Sequence, residues 1–349
     1  MIEKFRQKIR DGMLARGFSM EFADQLFEQI KGFGEYGFPE SHAASFALLA
    51  YASAWLKCHY PAAFTAALLN SQPMGFYAPA QLIRDLREHG GNVRPADVNL
   101  SDWDCTLEKA DDGSVILRLG LRLVRGLSQP LAEAIMAARN EKPFRSVQDI
   151  ARRAGINRPM LARLAAADAL ASLGLSRRTA LWQVLALADE LPLFANLDDE
   201  PDAHPPLREM SLGEQVVADY GTVGLSLKAH PFALIRPEMD KLNVATAEQI
   251  ANMEALKQVR VAGLVLVRQH PATAKGTIFM TLEDETGVVN LVIWPKIWQR
   301  FRNVARSAVA VLTEGKLERA NGVIHVMPTH IEDVSHALRG LSSGSRDFR

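Results

Sequence analysis

The sequence predicts a mixed, multi-domain chain in which an all-α part is followed by an all-β barrel. Apolar residues recur at helical spacing near the start, two helix–turn–helix segments follow in the middle, and strand-like alternation begins near Val259. The 349 residues are enough for two or three domains. We expect structural segments at 1–75, 76–175, 176–240 and 241–338, and a disordered tail at 339–349.

Composition limits the function without identifying it. Hydrophobic residues make up 48% of the chain and charged residues 23%, as in ordinary globular proteins. The 40 basic and 40 acidic residues balance, so any surface for nucleic acid must be local. Cys58 and Cys105 have no metal-ligand spacing and fit a reducing compartment. Neither a signal peptide nor a membrane span is predicted, and we expect a cytoplasmic protein.

The most distinctive stretch is an almost wholly apolar helix from Ala43 to Leu56, which Pro61 ends. A helix that is apolar on most of its circumference is expected to be buried in a larger body. Ser41 is a plausible N-cap. A polar stripe runs along one side and consists of His42, Ser45, Ser53 and Lys57. A helix N-terminus and a lysine suit an anionic ligand. The alternative is a core helix without a ligand, whose polar residues face a solvent-filled seam.

This helix also carries a family resemblance. The chain resembles the fingers region of bacterial C-family DNA polymerases, the DNA polymerase III alpha subunits, over the run FPESHAASFALLAYASAWLKCHYPAAF. The continuation is similar to the error-prone, translesion branch of that family, over LLNSQPMGFYAPAQLIRD and VRPADVNLSDWDCTLE. The resemblance implies that residues 1–75 are part of the fingers. It makes His42, Ser45 and Lys57 candidates for binding the nucleotide phosphates.

Asp102 and Asp104 form a pair of carboxylates spaced by one residue. Such oxygen ligands can hold Mg²⁺. A turn in which aspartates bond the backbone is the favoured interpretation, because no third acidic residue in a strand supports a metal site.

The first helix–turn–helix segment lies at ILRLGLRLVRGLSQPLAEAIMAARN, with a helix expected on each side of the turn. Its Gly126-Leu127-Ser128 turn, followed by Pro130, resembles the hairpin of a helix-hairpin-helix motif. In such hairpins, backbone N–H groups at a helix N-terminus hold a DNA phosphate without reading sequence. The motif has a second glycine where this chain has Ser128. The DNA-binding candidates here are Arg125, Gly126 and Ser128.

A second, looser hairpin follows at Gly155-Ile156-Asn157. Arginines cluster around it, namely Arg145, Arg152, Arg153, Arg158 and Arg163. Tandem hairpins with local arginines predict a non-specific clamp on duplex DNA, with Gly155, Arg158 and Arg163 as candidates. The alternative is a pair of ordinary helical hairpins with solvated arginines.

The connector after residue 175 contains one more helix and an acidic, proline-containing loop, LDDEPDAHPP. Before that loop, ELPLF is similar to the pentapeptide with which bacterial polymerases bind their sliding clamp. The candidate clamp-binding residues are Leu191, Leu193 and Phe194. Chance occurrence is the alternative, because five-residue patterns recur often.

The last domain, Val259 to Val334, is predicted to contain five strands with a helix after the third. The Asn321-Gly322 turn joins the last two. This order is that of an OB-fold barrel, which also agrees with the family resemblance. OB folds bind single strands through aromatic and basic residues near strands two and three. Candidates are Arg268, His270, Lys275, Phe279, Trp294 and Lys296, and a core position is equally open for Phe279 and Trp294.

The resemblance covers essentially the whole chain and implies the C-terminal part of an error-prone DNA polymerase. In that family the palm, with the aspartates that bind the two metals, comes first. We therefore assign no catalytic residue and no metal to this chain, expect it to be inactive alone, and expect Mg²⁺ only for the complete polymerase. Implied partners are primer-template and single-stranded DNA, the sliding clamp and translesion accessory proteins. A stand-alone DNA-binding or adaptor protein is the alternative.

Overall fold

The computed structural model describes residues 5–36, 40–73, 77–187, 206–271, 274–320, 323–338 and 346–348. The chain divides into two compact units, Met1–Phe64 and Thr65–Arg349. The clamp-binding candidates Leu191, Leu193 and Phe194 lie outside the described residues, as do positions 197–205 of the acidic loop. The tail at 339–345 and Arg349 lie outside them as well.

The first unit is helical. Its elements are α1 (Arg6–Leu14), α2 (Met20–Tyr36) and α3 (Glu40–His59), and α4 (Pro61–Asn70) begins at its end. Gly17 has a φ of +82°, which lets the chain turn after α1. The Ser19 hydroxyl then accepts the Phe22 N–H at the start of α2. Arg10 of α1 pairs with Asp24 of α2.

The apolar helix predicted from sequence is α3, and its side chains are exposed instead of buried. Phe46, Leu49 and Tyr51 are 58, 60 and 71% exposed. The helix forms because a run of 21 residues without Gly or Pro, Glu40 to Tyr60, lies between Pro39 and Pro61. The expectation that α3 is buried is therefore wrong for this unit. The other helices of the unit are too few to cover the apolar side chains of α3. Among the described residues, no helix is both long and apolar enough to cross a membrane.

The second unit begins within α4 and continues with α5 (Pro79–Glu88) and a small sheet, β1 (Asn92–Arg94), β2 (Thr106–Lys109) and β3 (Val115–Arg118). The strands lie in the order β1–β3–β2. The helix expected from Ile116 is therefore wrong. The four residues of β3 form the central strand of this sheet. Arg118 is fixed there by hydrogen bonds to Glu108 at 2.6 Å and to the Pro95 carbonyl at 2.9 Å. A single 3-10 turn, Leu121–Leu123, follows.

Four helices then build the core of the helical region: α6 (Gln129–Glu141), α7 (Val147–Ala154), α8 (Arg158–Ala166) and α9 (Arg177–Ala186). Side chains cap three of them, with Ser146, Asn157 and Ser176 accepting backbone N–H groups at the N-termini. The apolar faces meet in one core that includes Ile135, Ile150, Leu161 and Leu164, each 0% exposed.

Three further helices lead into the barrel: α10 (Leu212–Thr222), α11 (Pro231–Lys241) and α12 (Ala247–Asn252). The buried Arg177 at the start of α9 donates to the Gln215 carbonyl at 2.9 Å and pairs with Asp219. This contact fixes α10 against the helical core, since an unpaired buried guanidinium would be costly.

The predicted barrel is confirmed. Its strands are β4 (Gln258–Gln269), β5 (Ile278–Glu283), β6 (Val288–Ile293), β7 (Ala310–Ala320) and β8 (Val323–Asp333). They close in the order β5–β6–β8–β7–β4 with β4 pairing back to β5, and β6 is parallel to β8. Helices α13 (Pro295–Arg300) and α14 (Arg302–Ser307) lie between β6 and β7. This is the five-stranded OB topology.

Three residues within the tail predicted to be disordered form β9 (Arg346–Phe348), which runs parallel to β4. Its partners are Val267 to Gln269, at the end of the longest strand of the barrel, just past the bulge between Val265 and Val267. The tail strand therefore pairs with the backbone of β4 at this end of the barrel.

Candidate nucleic-acid interface

The first hairpin turns at Gly126, whose φ of +82° is a left-handed conformation that favours glycine. Leu127 points into the core, and Ser128 is the exposed N-cap of α6. The Ser128 side chain makes no capping bond. The N–H groups that begin α6 are therefore available to an external acceptor.

The first hairpin and the second contact each other through Arg163. A Cβ built on Gly126 would lie 1.6 Å from Nη1 of Arg163. The exposed guanidinium of α8 thus rests on the loop before α6. Gly126 and Arg163 were predicted as DNA-binding candidates of two different hairpins, and the structure brings them together. The guanidinium places a positive charge beside the N–H groups of the first hairpin.

Arg125 is exposed, but it is also fastened to the end of α10. Its N–H donates to the Thr222 carbonyl at 2.8 Å, and its Nη1 donates to the Gly221 carbonyl at 3.2 Å. Its predicted role in DNA binding stays a prediction. The contacts assign it an anchoring role as well.

The second hairpin is more open than the first. Gly155 ends α7 with a φ of +62°, and nothing lies within 4 Å of the Cβ that could be built on it. Asn157 caps α8, its Oδ1 accepting the Met160 N–H at 3.0 Å. Arg158, the first residue of α8, is exposed. The loop therefore presents a glycine and an arginine side by side.

The arginines around this hairpin differ in their surroundings. Arg153 donates to the Ala138 and Lys142 carbonyls, pairs with Asp149 at 3.1 Å and lies 5.0 Å from the Phe144 ring centre. It holds α7 to the end of α6. The exposed arginines are Arg145, Arg152, Arg158 and Arg163. Only exposed ones can reach DNA without breaking the fold.

Asp102 and Asp104 each have an arginine partner. Asp102 pairs with Arg139, and Asp104 accepts from Arg122 at 2.6 Å. Within the described residues, no group of three or more His, Cys, Asp or Glu side chains could hold a metal ion. Each carboxylate thus has an arginine partner in place of the backbone hydrogen bond that the turn interpretation expected.

The barrel has one face packed and one face open. On the packed face, Leu264 and Leu312 meet Phe232 and Met239 of α11. On the open face, formed by β5, β6 and β8, Phe279 is 37% exposed and Trp294 is 52% exposed. Ile278 and Met280, the neighbours of Phe279, are buried in the barrel interior. The sequence left open whether Phe279 and Trp294 lie in the barrel core. Both aromatic rings face outward.

Sequence analysis missed other residues of the open face. The Trp294 Nε1–H lies 3.4 Å from the Met327 sulfur, and Thr281 bonds Asn290 at 3.0 Å. His325 pairs with Asn290 in the register of β6 and β8. Strand alternation in β8 could have identified His325 and Met327 as outward residues, but not their position beside Trp294, which depends on a parallel pairing between distant strands.

The charged candidates on the barrel divide into two groups. His270 and Lys275 are exposed in the connection between β4 and β5, and Lys296 is exposed in the first turn of α13. Arg268 is 7% exposed, and its Nε donates to the Ala305 carbonyl at 2.7 Å while Nη2 bonds the Ala308 carbonyl. Its guanidinium fixes the end of α14. We therefore leave Arg268 out of the interface, because binding DNA would require breaking these buried bonds.

A buried ionic cluster joins the barrel to the helical region. Arg84 of α5 donates to Glu283, the last residue of β5, at 2.5 Å, and Arg236 of α11 donates to Glu285 at 2.5 Å. Burial disfavours the charge of Glu283, but His230 and Arg84 beside it outweigh that effect and hold its pKa below the ordinary value. Glu283 therefore stays ionised. Burial also raises the pKa of the nearby Tyr220 hydroxyl.

In the first unit, His42, Ser45 and Lys57 lie along α3 and are exposed. The His42 and Phe46 rings are 4.5 Å apart. His42 and Lys57 are fifteen residues apart in sequence, which is about 22 Å along a helix. The three side chains thus form an elongated stripe, and one small phosphate group cannot contact all of them. Their nucleotide-binding role stays a prediction.

Two modules of the chain, one in the helical region and one in the barrel, match known families. Residues 90–180 match the family described as "Helix-hairpin-helix motif". Residues 259–334 match the family described as "OB-fold nucleic acid binding domain". Both modules had been predicted, and both are confirmed.

Whole-chain relatives narrow the class. The chain is 49% identical over 363 residues to error-prone DNA polymerase 1 of Agrobacterium fabrum, covering 99% of this chain and 33% of that protein. It is 51% identical over 344 residues to the error-prone DNA polymerase of Alkalilimnicola ehrlichii, covering 99% and 34%. The predicted resemblance is confirmed: the chain is similar along its length to about a third of these error-prone DNA polymerases.

Among solved structures, asparaginyl-tRNA synthetase from Pyrococcus horikoshii matches 26% of this chain and 23% of its own, at 22% identity and a TM-score of 0.23. A replication protein A heterotrimer bound to ssDNA matches 28% of this chain and 84% of its own, at 18% identity and a TM-score of 0.22. Likeness at this level carries no argument about function.

Proposed function

We propose that this chain is the DNA-holding portion of an error-prone DNA polymerase used in translesion synthesis and DNA damage repair. The observation that carries the proposal is the identity of about half over 99% of the chain to proteins of that name. The nucleotidyl transfer itself, with its Mg²⁺, belongs on this proposal to the remaining two thirds of such a polymerase.

The hairpins would hold the duplex. In the first, the free N–H groups at the start of α6 and the Arg163 guanidinium offer donors and charge for a backbone phosphate. In the second, Gly155 leaves room for a phosphate beside Arg158. Backbone contacts of this kind do not read bases, which suits an enzyme that must extend any sequence.

The barrel would hold the single-stranded template on its open face. Phe279 and Trp294 offer rings for base stacking, and Lys275 and Lys296 at the edge offer charge for the phosphates. Stacking tolerates any base, since each has a π-face. The open face is favoured over the packed face because α11 covers the packed face.

The first unit would contribute to the fingers. His42, Ser45 and Lys57 would face the incoming nucleotide, and the exposed apolar side chains of α3 would be covered by the rest of the polymerase. We further propose cytoplasmic localisation, clamp binding through Leu191, Leu193 and Phe194, and recruitment by translesion accessory proteins.

The test is fluorescence anisotropy of the purified chain with labelled single-stranded and primer-template DNA across a salt titration. We expect binding that weakens steeply with salt, because phosphate contacts release counterions. Phe279→Ala/Trp294→Ala should weaken single-strand binding by more than about tenfold and leave duplex binding unchanged. Lys257→Ala is the control, since that exposed lysine pairs with Glu254 at 3.3 Å.

A folded chain that binds neither DNA at low salt would refute the DNA-holding proposal. To test membership of a polymerase, the chain is mixed with the complementary two thirds of the Agrobacterium relative. Primer extension with Mg²⁺ should need both parts. DNA binding without any restored extension would favour the alternative of a stand-alone adaptor.

A further inference from the structure

The first hairpin and the barrel line the same cleft. A cavity of about 330 Å³ is lined by Leu123 and Arg125 of the hairpin, by Leu264 and Leu266 of β4, and by Tyr220 of α10. The two nucleic-acid-binding modules are therefore neighbours in space, although more than a hundred residues separate them in sequence, as counted from Arg125 to Leu264.

The hairpin is tied to this cleft through its backbone. The Arg125 N–H donates to the Thr222 carbonyl at 2.8 Å, and the side chain donates to the Gly221 carbonyl at 3.2 Å. Both acceptors belong to the last turn of α10. A Cβ on Gly224 would lie 3.3 Å from Nη2 of Arg125, so the arginine also packs against the chain that leaves α10.

The barrel is tied to the same body through β5. Glu283 ends that strand, is 7% exposed, and accepts from Arg84 of α5 at 2.5 Å. The next residue, Asp284, accepts the Ala247 N–H at the start of α12 at 2.8 Å. Because β5 also carries Phe279, these contacts fix the direction of the open face relative to the helices.

We propose that Arg125 and the Arg84–Glu283 pair are positioning residues that hold the first hairpin and the open barrel face as one rigid DNA-binding unit. The proposal rests on the proposed function and concerns how its two halves cooperate. Its substrate is a DNA with a duplex arm and a single-stranded arm. When two sites are held at a fixed separation, binding at one raises the effective concentration of DNA at the other.

The measurement compares three labelled DNAs: a blunt duplex, a single strand and a junction that joins them. We define the junction gain as the affinity for the junction divided by the affinity for the better single arm. For the natural chain we expect a gain of at least about tenfold. For Glu283→Gln we expect a gain below about threefold, with the affinities for the separate arms unchanged.

Glu314→Gln is the matched control, because Glu314 lies on β7 and pairs with the exposed Arg260 elsewhere on the barrel. It should keep the full gain. Arg84→Met removes the same ion pair from the other side and should reproduce the loss. Circular dichroism reports whether each variant is folded, and a folded Glu283→Gln protein that retains the gain overturns the proposal.

A second experiment uses the natural chain alone, so it does not depend on a variant that folds. Abasic spacers of increasing length are placed between the duplex and single-stranded arms. Rigid coupling predicts a sharp optimum in the gain at one spacer length, whereas loosely tethered modules predict a gradual decline. A gradual decline, or no gain with two binding arms, overturns this inference alone. Failure of both separate arms to bind overturns the proposed function instead.

Discussion

The two hairpins share a motif but differ in how their loops are held. In the first, Arg163 rests on Gly126, and Arg125 is fastened to α10. In the second, Gly155 is surrounded by open space and Asn157 caps the next helix. A loop held by its surroundings owes its shape to tertiary contacts, whereas a capped loop owes it to its own sequence. The following predictions test that difference.

The largest difference is expected at the two glycines. Gly126→Ala should lower the free energy of unfolding by more than about 2 kcal/mol, because a left-handed alanine is strained and Arg163 must also move. Gly155→Ala should cost about 1 kcal/mol, since only the backbone strain remains. Urea unfolding measures both.

The double variant Gly126→Ala/Arg163→Ala separates the two causes. Removing the guanidinium should recover the crowding part of the loss, so the two changes should not add. Equal losses for the two single glycine variants would mean that Arg163 simply swings away.

The second largest difference in stability is expected between the N-cap residues that follow the two hairpin turns. Asn157→Ala should lower the free energy of unfolding by about 1 kcal/mol, because the Met160 N–H loses its acceptor. Ser128→Ala should be nearly neutral, since the Ser128 side chain makes no capping bond. Thermal and urea unfolding of the pair check this. A comparable loss at Ser128 would show that the first hairpin is capped in solution.

Two arginines of the second hairpin should differ in what they contribute, one to duplex affinity and the other to the free energy of unfolding. Arg158→Ala should weaken duplex binding by about threefold and reduce the magnitude of the salt slope by about one, with unfolding unchanged. Arg153→Ala should lower stability, because it holds two carbonyls and Asp149. Anisotropy at several salt concentrations and urea unfolding distinguish the two. Loss of the salt slope in folded Arg153→Ala would contradict the assignment.

How much of this the sequence could predict depends on the range of the interactions. The five barrel strands were predictable because one buried face imposes a period of two on residues such as Ile278 and Met280. Strand β3 was mistaken for a helix because four residues are too few to distinguish the periods. The Arg84–Glu283 pair spans 199 residues and leaves no local pattern. Arg268 looked like a surface arginine because only the folded barrel brings the Ala305 carbonyl to it.

The smallest effect is expected where this chain departs from the two-glycine hairpin pattern. Ser128 has a φ of −88°, so its backbone does not require glycine. A glycine there matters only if a phosphate must come closer than a Cβ allows. Ser128→Gly should therefore leave stability within about 0.5 kcal/mol. It should improve duplex affinity by about twofold, which corresponds to about 0.4 kcal/mol. Anisotropy with blunt duplex measures the affinity, and Ser146→Gly is the control, because Ser146 is an N-cap that lies in neither hairpin turn. Weaker duplex binding by Ser128→Gly would mean that the hydroxyl itself contacts the phosphate, and the first hairpin would then bind through a side chain, as we propose for Arg158 in the second.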